Sequence, residues 1–243
     1  YPNIDKTQKS HYGDEPLDIV FISNGEVNAD YNYEKLRFYA GNWNKIKRVD
    51  RVNGRVAAYH AAAKASSTPW FFAVFAKLEV NPEFDWTWQP DRLQQPKHYI
   101  FHARNPVNGL EYGHQAMIAY NKQLTLANQG QGLDFTLDSE HEVVPILSGT
   151  AYYNSDAWTC WRTAFRECVK LRAATDVESQ YRLKQWLTVN NSGTTGEWSI
   201  RGAQDAVEYY ESVGGDFAEL RKSYDWTWLA SYAFVKHSLS QNQ

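Results

Sequence analysis

The feature that most constrains the fold is a strand, helix, strand, helix, strand series packed into residues 17–76. Leu17-Asp18-Ile19-Val20-Phe21-Ile22-Ser23 is a short apolar run rich in β-branched residues and stopped by Asn24-Gly25, the pattern of a buried strand that ends in a tight turn. Residues 31–39 then read as a helix, residues 46–49 as a second short strand ending at Asp50, and Asn53-Gly54 breaks the chain before an alanine-dominated helix over 55–66. Thr68-Pro69 ends that helix, because a residue before proline avoids the helical region. Residues 70–76 are an apolar run of buried-strand length and are expected to form the central strand. Such alternation predicts a parallel, right-handed, doubly wound sheet of the α/β class. Ligands of these sheets lie beyond the carboxyl ends of the strands, which directs attention to Ser23-Asn24-Gly25-Glu26, to Asp50 and to Lys77-Leu78-Glu79.

The later chain is less regular. Residues 98–103 and 115–120 read as strands around a turn at Asn105-Pro106-Val107-Asn108-Gly109, and 134–139 as a loop leading into Glu142-Val143-Val144-Pro145. Trp158, Trp161, Phe165, Cys168 and Leu171 recur at three- and four-residue steps, which predicts a helix over 156–172 capped by Asn154 or Ser155. Further helices follow, broken at Asn190-Asn191-Ser192-Gly193 and at Gly214-Gly215. The expected organisation is an arm over 1–15, an α/β domain over 16–172 and a helical C-terminal extension over 173–243.

Several function classes fall away on composition. A net charge of −3 gives no global field toward nucleic acid or anionic lipid. The longest apolar run, 70–76, falls far short of the roughly 20 residues that span a bilayer, so no membrane span is expected. The N-terminus lacks the basic-then-apolar layout of a signal peptide, a start at Tyr1-Pro2 suggests trimming or excision, and the expected location is cytoplasmic. Cys160 and Cys168, about 12 Å apart along a helix, are expected to be free thiols and form no zinc site. Ten Trp and 16 Tyr are abundant enough either to pad a core or to line a groove that stacks sugars or bases.

Over residues 17–90 the sequence resembles the donor-binding half of GT-A-type glycosyltransferases. The resemblance rests on Ser23-Asn24-Gly25-Glu26, on the strand ending in Asp50, on Asn53-Gly54-Arg55-Val56-Ala57-Ala58-Tyr59-His60-Ala61-Ala62, and on Thr68-Pro69-Trp70-Phe71-Phe72. It implies a GT-A-like, mostly parallel sheet that binds a nucleotide-sugar. Ser23, Asn24 and Glu26 would lie against the base or ribose, Asp50 would accept from the base edge, and Arg55 would lie near the diphosphate. The family's Asp-x-Asp after the central strand is replaced here by Phe75-Ala76-Lys77-Leu78-Glu79. The paired carboxylates that hold a divalent cation are therefore missing, and no metal or other cofactor is expected. Two readings of Lys77 stand: its ammonium supplies the charge that the metal otherwise supplies, or it is an ordinary strand-end lysine and catalysis has been lost.

A transferase also needs a base for the acceptor hydroxyl. The segment 134–142 holds four carboxylates and His141; Asp138 and His141 are the candidates there, and His114, beside Gly113, is another. Arg162 and Arg166, four residues apart on one helix face, suit either a phosphate or a solvated surface. Gln94-Gln95-Pro96-Lys97-His98-Tyr99 and Trp161-Arg162-Thr163-Ala164-Phe165-Arg166 are similar to proteins of large tailed phages, which implies a glycan or a hydroxymethylated base of phage DNA as acceptor and the host cytoplasm as location. The expectation is a metal-independent glycosyltransferase; the alternative is a non-catalytic GT-A-like structural or carbohydrate-binding module of a larger assembly.

Overall fold

The computed structural model of the protein describes residues 15–132 and 134–241, so the arm expected over 1–15 lies, apart from Glu15, outside the described residues. The described residues form two compact units, one of residues 15–103 and 112–150, the other of residues 104–111 and 151–241. The boundary thus falls before the helix that begins at 157, whereas the sequence reading had put it after that helix.

The first unit begins with β1 (Asp18–Ser23), α1 (Ala29–Ala40), β2 (Ile46–Asp50), α2 (Arg55–Ala65) and β3 (Trp70–Phe75), the series read from the sequence. Then come β4 (Leu78–Val80), β5 (His98–Arg104), β6 (Glu111–Asn121), α3 (Lys122–Ala127) and β7 (His141–Ala151). The seven strands make one sheet in the order β2-β1-β3-β6-β5-β7-β4. β1 lies parallel between β2 and β3, with Ser23 level with Asp50 and Ile22 level with Phe75. β6 runs antiparallel to β3. β5 and β6 are joined by only six residues, too few for a parallel crossover, so they form a hairpin. The central strand of the sequence reading, β3, is third in this order rather than fourth.

Every residue of β1 is buried, and alternate side chains serve opposite faces. On one face Val20 and Ile22 join Phe71, Ala73, Ile118 and Tyr120 beneath Tyr59, Ala62 and Ala63 of α2. The small alanines let that helix approach closely. On the other face Phe21 meets Tyr33 of α1, with ring centroids 5.1 Å apart. The two helices therefore cover opposite faces, as a doubly wound unit requires. Phe72, Phe84, Trp86 and Phe101 pack ring against ring, so much of the aromatic content of this unit is core.

The amino ends of the strands are held by Asp18, 1% exposed, whose carboxylate takes the Ser67 amide at 2.6 Å and the Lys47 ammonium at 3.3 Å. Two short elements, β4 and α3, carry no periodicity long enough to read; α3 starts where Asn121 Oδ1 accepts from the Leu124 amide.

The second unit is helical: α4 (Ala157–Ala173), α5 (Val177–Thr188), α6 (Gly193–Ser212), α7 (Phe217–Leu220), a 3-10 turn at Arg221–Tyr224 and α8 (Trp226–His237). The stripe Trp158, Trp161, Phe165, Cys168 and Leu171 is buried throughout. The cap of α4 is Asp156, which accepts from the Thr159 amide at 2.7 Å, rather than Ser155 or Asn154; Ser155 instead donates to Asp156, and Asn154 to Ser192. A Cβ at Gly202 would lie 2.3 Å from the Trp161 carbonyl oxygen, so α6 can meet α4 only with glycine at that point. The indole of Trp161 then donates to the buried Asp205 at 2.8 Å. Both cysteines are free and buried, and burial pushes the Cys160 thiol up to about 12 and raises that of Cys168 as well. They are inert packing groups.

His98 ties the first unit's stability to pH. It is fully buried, and its Nδ1 accepts from the Asn121 amide, so Nε2 carries the proton and has no hydrogen-bond partner. Burial, with His141 adding repulsion, lowers its pKa to about 4. An unfolded histidine takes up its proton near 6.5, so the native state resists protonation and stability is lost as pH falls from 6.5 toward 4, by about 3 kcal/mol in all. His98→Asn, which keeps an acceptor for Asn121 but cannot titrate, is expected to flatten the fall in unfolding free energy over that interval by about this amount; chemical denaturation of both proteins at several pH values measures it.

Candidate functional site

Two clefts open at the carboxyl ends of β1 and β2. One, of about 330 Å³, has a floor of Ile22, Val49, Ala58, Tyr59 and Phe75 and a rim of Ser23, Asn24, Glu26, Gly54 and Arg55. The other, of about 650 Å³, is lined by Gly25, Glu26, Val27, Ala29, Asp30, Arg48, Asp50 and Arg51. Alternation along the strands explains the split: Ile22, Val49 and Phe75 point to the α2 face, Arg48 and Asp50 to the α1 face. Glu26 borders both, so the loop after β1 is the ridge between them.

This is the place where the strand order doubles back. From β1 the chain crosses to β2 on one side, and from β2 it returns to β3 on the other. The β1–β3 boundary is therefore a topological switch point, where the loops diverge and leave a crevice. Both flanking helices begin without a side-chain cap: neither Asn28 before α1 nor Gly54 before α2 has a side-chain acceptor engaged. Gly54, at φ +92°, turns the chain into α2 in a conformation that other residues seldom adopt. At the start of α1 the Ala29 amide donates to the Glu26 carbonyl at 3.0 Å instead, whereas the first amide groups of α2 have no side-chain cap.

The charged groups of the larger cleft form one network. Ser23 Oγ donates to Asp50 Oδ1 at 2.5 Å and accepts from Arg48 Nε at 3.0 Å. Arg48 also reaches Asp30 at 2.7 Å, the contact that chiefly raises its pKa, and its guanidinium lies over the rings of Tyr33 and Phe21. Arg51 Nε stands 3.5 Å from Asp50 Oδ2, and its amide bonds to the Ser23 carbonyl at 3.0 Å in a left-handed backbone conformation. In this network Asp50 is held by one hydroxyl and two cations. Asn24 donates its amide to Glu26 at 2.7 Å, which folds the ridge loop back on itself. Tyr59, in the floor of the smaller cleft, is pushed up to about 12 by burial and stays protonated at neutral pH.

Of the residues singled out from the sequence, Ser23, Asn24, Glu26 and Arg55 line the smaller cleft, and Glu26 and Asp50 line the larger. Lys77 is exposed on the turn between β3 and β4 and lines neither. Asp138 and His141 line neither as well: Asp138 accepts from the Gly132 amide, and His141 Nδ1 meets the Ser139 carbonyl. Their loop is stapled by Asp134, which takes the amides of Thr136 and Leu137. His114 Nδ1 accepts from the Ala116 amide. Arg162 and Arg166 belong to the second unit. Sequence reasoning missed Arg48 and Arg51; the signal was the alternation Arg48-Val49-Asp50, which puts a cation and an anion on one face of a strand end. Among the described residues no group of three His, Cys, Asp or Glu is arranged to hold a metal, and no helix is long and apolar enough to cross a membrane.

No protein-family model and no curated protein matches the sequence. Among solved structures the chain is similar to HddC from Yersinia pseudotuberculosis, at 13% identity and a TM-score of 0.33, over 54% of this chain and 71% of that one.

The network makes a measurable claim. Ser23→Ala is expected to cost about 1 to 2 kcal/mol, the worth of a hydrogen bond to a charged group, and Arg48→Ala a similar amount. Because both act on Asp50, their double mutant is expected to cost less than the sum by at least about 0.5 kcal/mol, as urea denaturation of the four proteins in the cycle would show.

Proposed function

We propose that the smaller cleft at the carboxyl ends of β2, β1 and β3 binds a nucleoside diphosphate as part of a nucleotide-sugar, and that the protein is a metal-independent glycosyltransferase of GT-A type. The observation that carries this reading is the parallel β2-β1-β3 order with an apolar, partly polar-rimmed cleft at its switch point, the place where mononucleotides bind in doubly wound sheets. The assignment of chemistry is by analogy with that class of sheet. A planar base fits the floor of Ile22, Val49 and Phe75, while Ser23, Asn24 and Glu26 offer polar groups to its edge and to the ribose. The phosphates fall to the uncapped start of α2 and to Arg55, with Arg51 beyond the ridge. Arg48, already matched by Asp30, positions Ser23 and Asp50.

In the transfer step the bond from the sugar's anomeric carbon to the phosphate oxygen breaks as a bond to the acceptor oxygen forms. The acceptor's proton passes to a base, and the diphosphate leaves with its charge met by cations. The acceptor is a hydroxyl of a glycan or of a hydroxymethylated DNA base. A second reading, binding without transfer as a module of a larger assembly, is favoured by the positions of Lys77, Asp138 and His141, none of which lines either cleft.

Titration calorimetry with nucleoside diphosphates, with the matching nucleosides and with or without Mn²⁺ tests both. The diphosphate is expected to bind without metal, and Arg55→Gln is expected to weaken it by about tenfold or more while sparing the nucleoside, since a charge-assisted contact is worth about 1.5 to 3 kcal/mol. Lys77→Ala should have the same effect if Lys77 neutralises the diphosphate and none if it is an ordinary surface lysine. Equal affinity of nucleoside and diphosphate for the wild type defeats the proposal; diphosphate binding without turnover of any nucleotide-sugar leaves the module.

A further inference from the structure

Much of the aromatic content of the first unit is spent on its core, but two rings of the second unit also border open space. Trp228, Ser231, Tyr232 and Val235 recur at three- and four-residue steps, so they share one flank of α8. With Lys236 and with Glu208 of α6 they line a groove of about 440 Å³, inside the roughly 300–1,000 Å³ range of ligand pockets. Its aromatic floor is held rigidly. Trp228 and Tyr232 lie 5.2 Å apart and 35° from parallel; the buried rings of Tyr209 and Phe165 back them, 4.9 Å from Trp228 and 5.3 Å from Tyr232. Both floor rings are nonetheless only half-buried, so each keeps a surface at the groove.

The charges at the groove favour a neutral occupant. Lys236, the cation of the lining, is held by Glu208 at 2.5 Å and by the buried Asp205 at 3.1 Å, and His237 Nε2 lies against the same Asp205 at 2.6 Å. One ammonium thus meets two carboxylates, which leaves it no charge to spare for a phosphate or another anion. Uncharged polar groups, by contrast, remain unspent. The Trp228 indole N–H and the Ser231 hydroxyl make no hydrogen bond among the described residues, whereas the indoles of Trp70 and Trp161 donate to the Lys97 carbonyl and to Asp205. Glu208 commits only Oε2 to Lys236. A pyranose presents C–H groups on one face and hydroxyls around its rim. The C–H groups suit the electron-rich face of an aromatic ring, and the hydroxyls suit an indole donor, a serine hydroxyl and a carboxylate oxygen at its edge.

We propose that the groove between α6 and α8 binds a neutral oligosaccharide, with a sugar ring laid against Trp228 and its hydroxyls met by Ser231 and Glu208. The site belongs to the second unit alone and uses none of the residues assigned to the nucleotide. It does not depend on that assignment, since the same groove serves a protein that binds glycans with or without transfer.

The test is a glycan array probed with the labelled protein, carrying neutral chains of glucose, galactose, mannose, N-acetylglucosamine and fucose beside uronic-acid and sialylated chains. Titration calorimetry then uses the neutral chain that binds best. Neutral chains are expected to bind and acidic ones to be rejected. Trp228→Phe, which keeps a ring and loses the N–H, is expected to weaken the titrated chain about three- to tenfold. Ser231→Arg, at an exposed position, fills the groove and is expected to abolish binding with the melting temperature unchanged. Arg55→Gln is expected to leave glycan binding as it is, and Ser231→Arg to leave nucleoside diphosphate binding as it is, so the two sites stand or fall separately. Anisotropy of a labelled hexadeoxynucleotide and gel filtration read the other occupants. Oligonucleotide binding that Ser231→Arg removes, or a dimer that it dissociates, with no glycan bound, overturns the proposal. So do a preference for acidic chains, glycan binding that survives in both variants, and an array on which nothing binds.

Discussion

Everything in the first unit follows from the burial of β1 on both faces. A strand in that position must have hydrogen-bonded neighbours on each edge and a covering layer on each face. The register to β2 and β3 satisfies the first demand, and α1 and α2 the second. With helices committed to opposite faces, the chain must leave β1 toward one side and return to the other. The crevice at the strand ends is what remains open after that traffic. The polar latch around Asp18 closes the opposite end of the same three strands, so one end is stitched and the other is available to a ligand.

The three parallel strands and their helices were legible because each is announced twice, by an apolar run and by its punctuation: Asn24-Gly25 after β1, Asn53-Gly54 before α2, Thr68-Pro69 before β3. The stripe of α4 was legible for the same reason, since five large side chains at helical spacing bury whatever their partner. β4 and α3 were not, because three and six residues are too short to show a period. The cap of α4 was misassigned by one or two residues because Asn154, Ser155 and Asp156 are all capable acceptors, and the choice depends on how the chain enters the helix. The domain boundary was misplaced because a stripe tells that a helix is buried but not against what; Gly202 and Asp205, which receive Trp161, lie more than forty residues downstream.

The candidate site was legible in part. Ser23, Asn24, Glu26 and Arg55 are near the strand ends by sequence alone, and they do line a cleft. The roles of Arg48, Arg51 and Asp30 depend on the register that sets Ser23 level with Asp50, residues 27 apart in sequence. No local pattern contains that register. The acidic loop shows the opposite error: a density of titratable residues drew attention to it, yet Asp134 and Asp138 spend their oxygens on the loop's own amides.

The two borders of the sheet carry a consequence for the protein's behaviour in concentrated solution. β2 lies at one margin, every residue of it at least partly exposed, and it carries Lys47, Arg48 and Asp50 in four positions; β4, at the other margin, is three residues long. An incoming strand would have to desolvate three charges at the first margin and would find too few amides to grip at the second. Two of these charges, Arg48 and Asp50, also shape the larger cleft, and together with Lys47 they keep a sheet with so apolar an interior from growing by accretion of further copies.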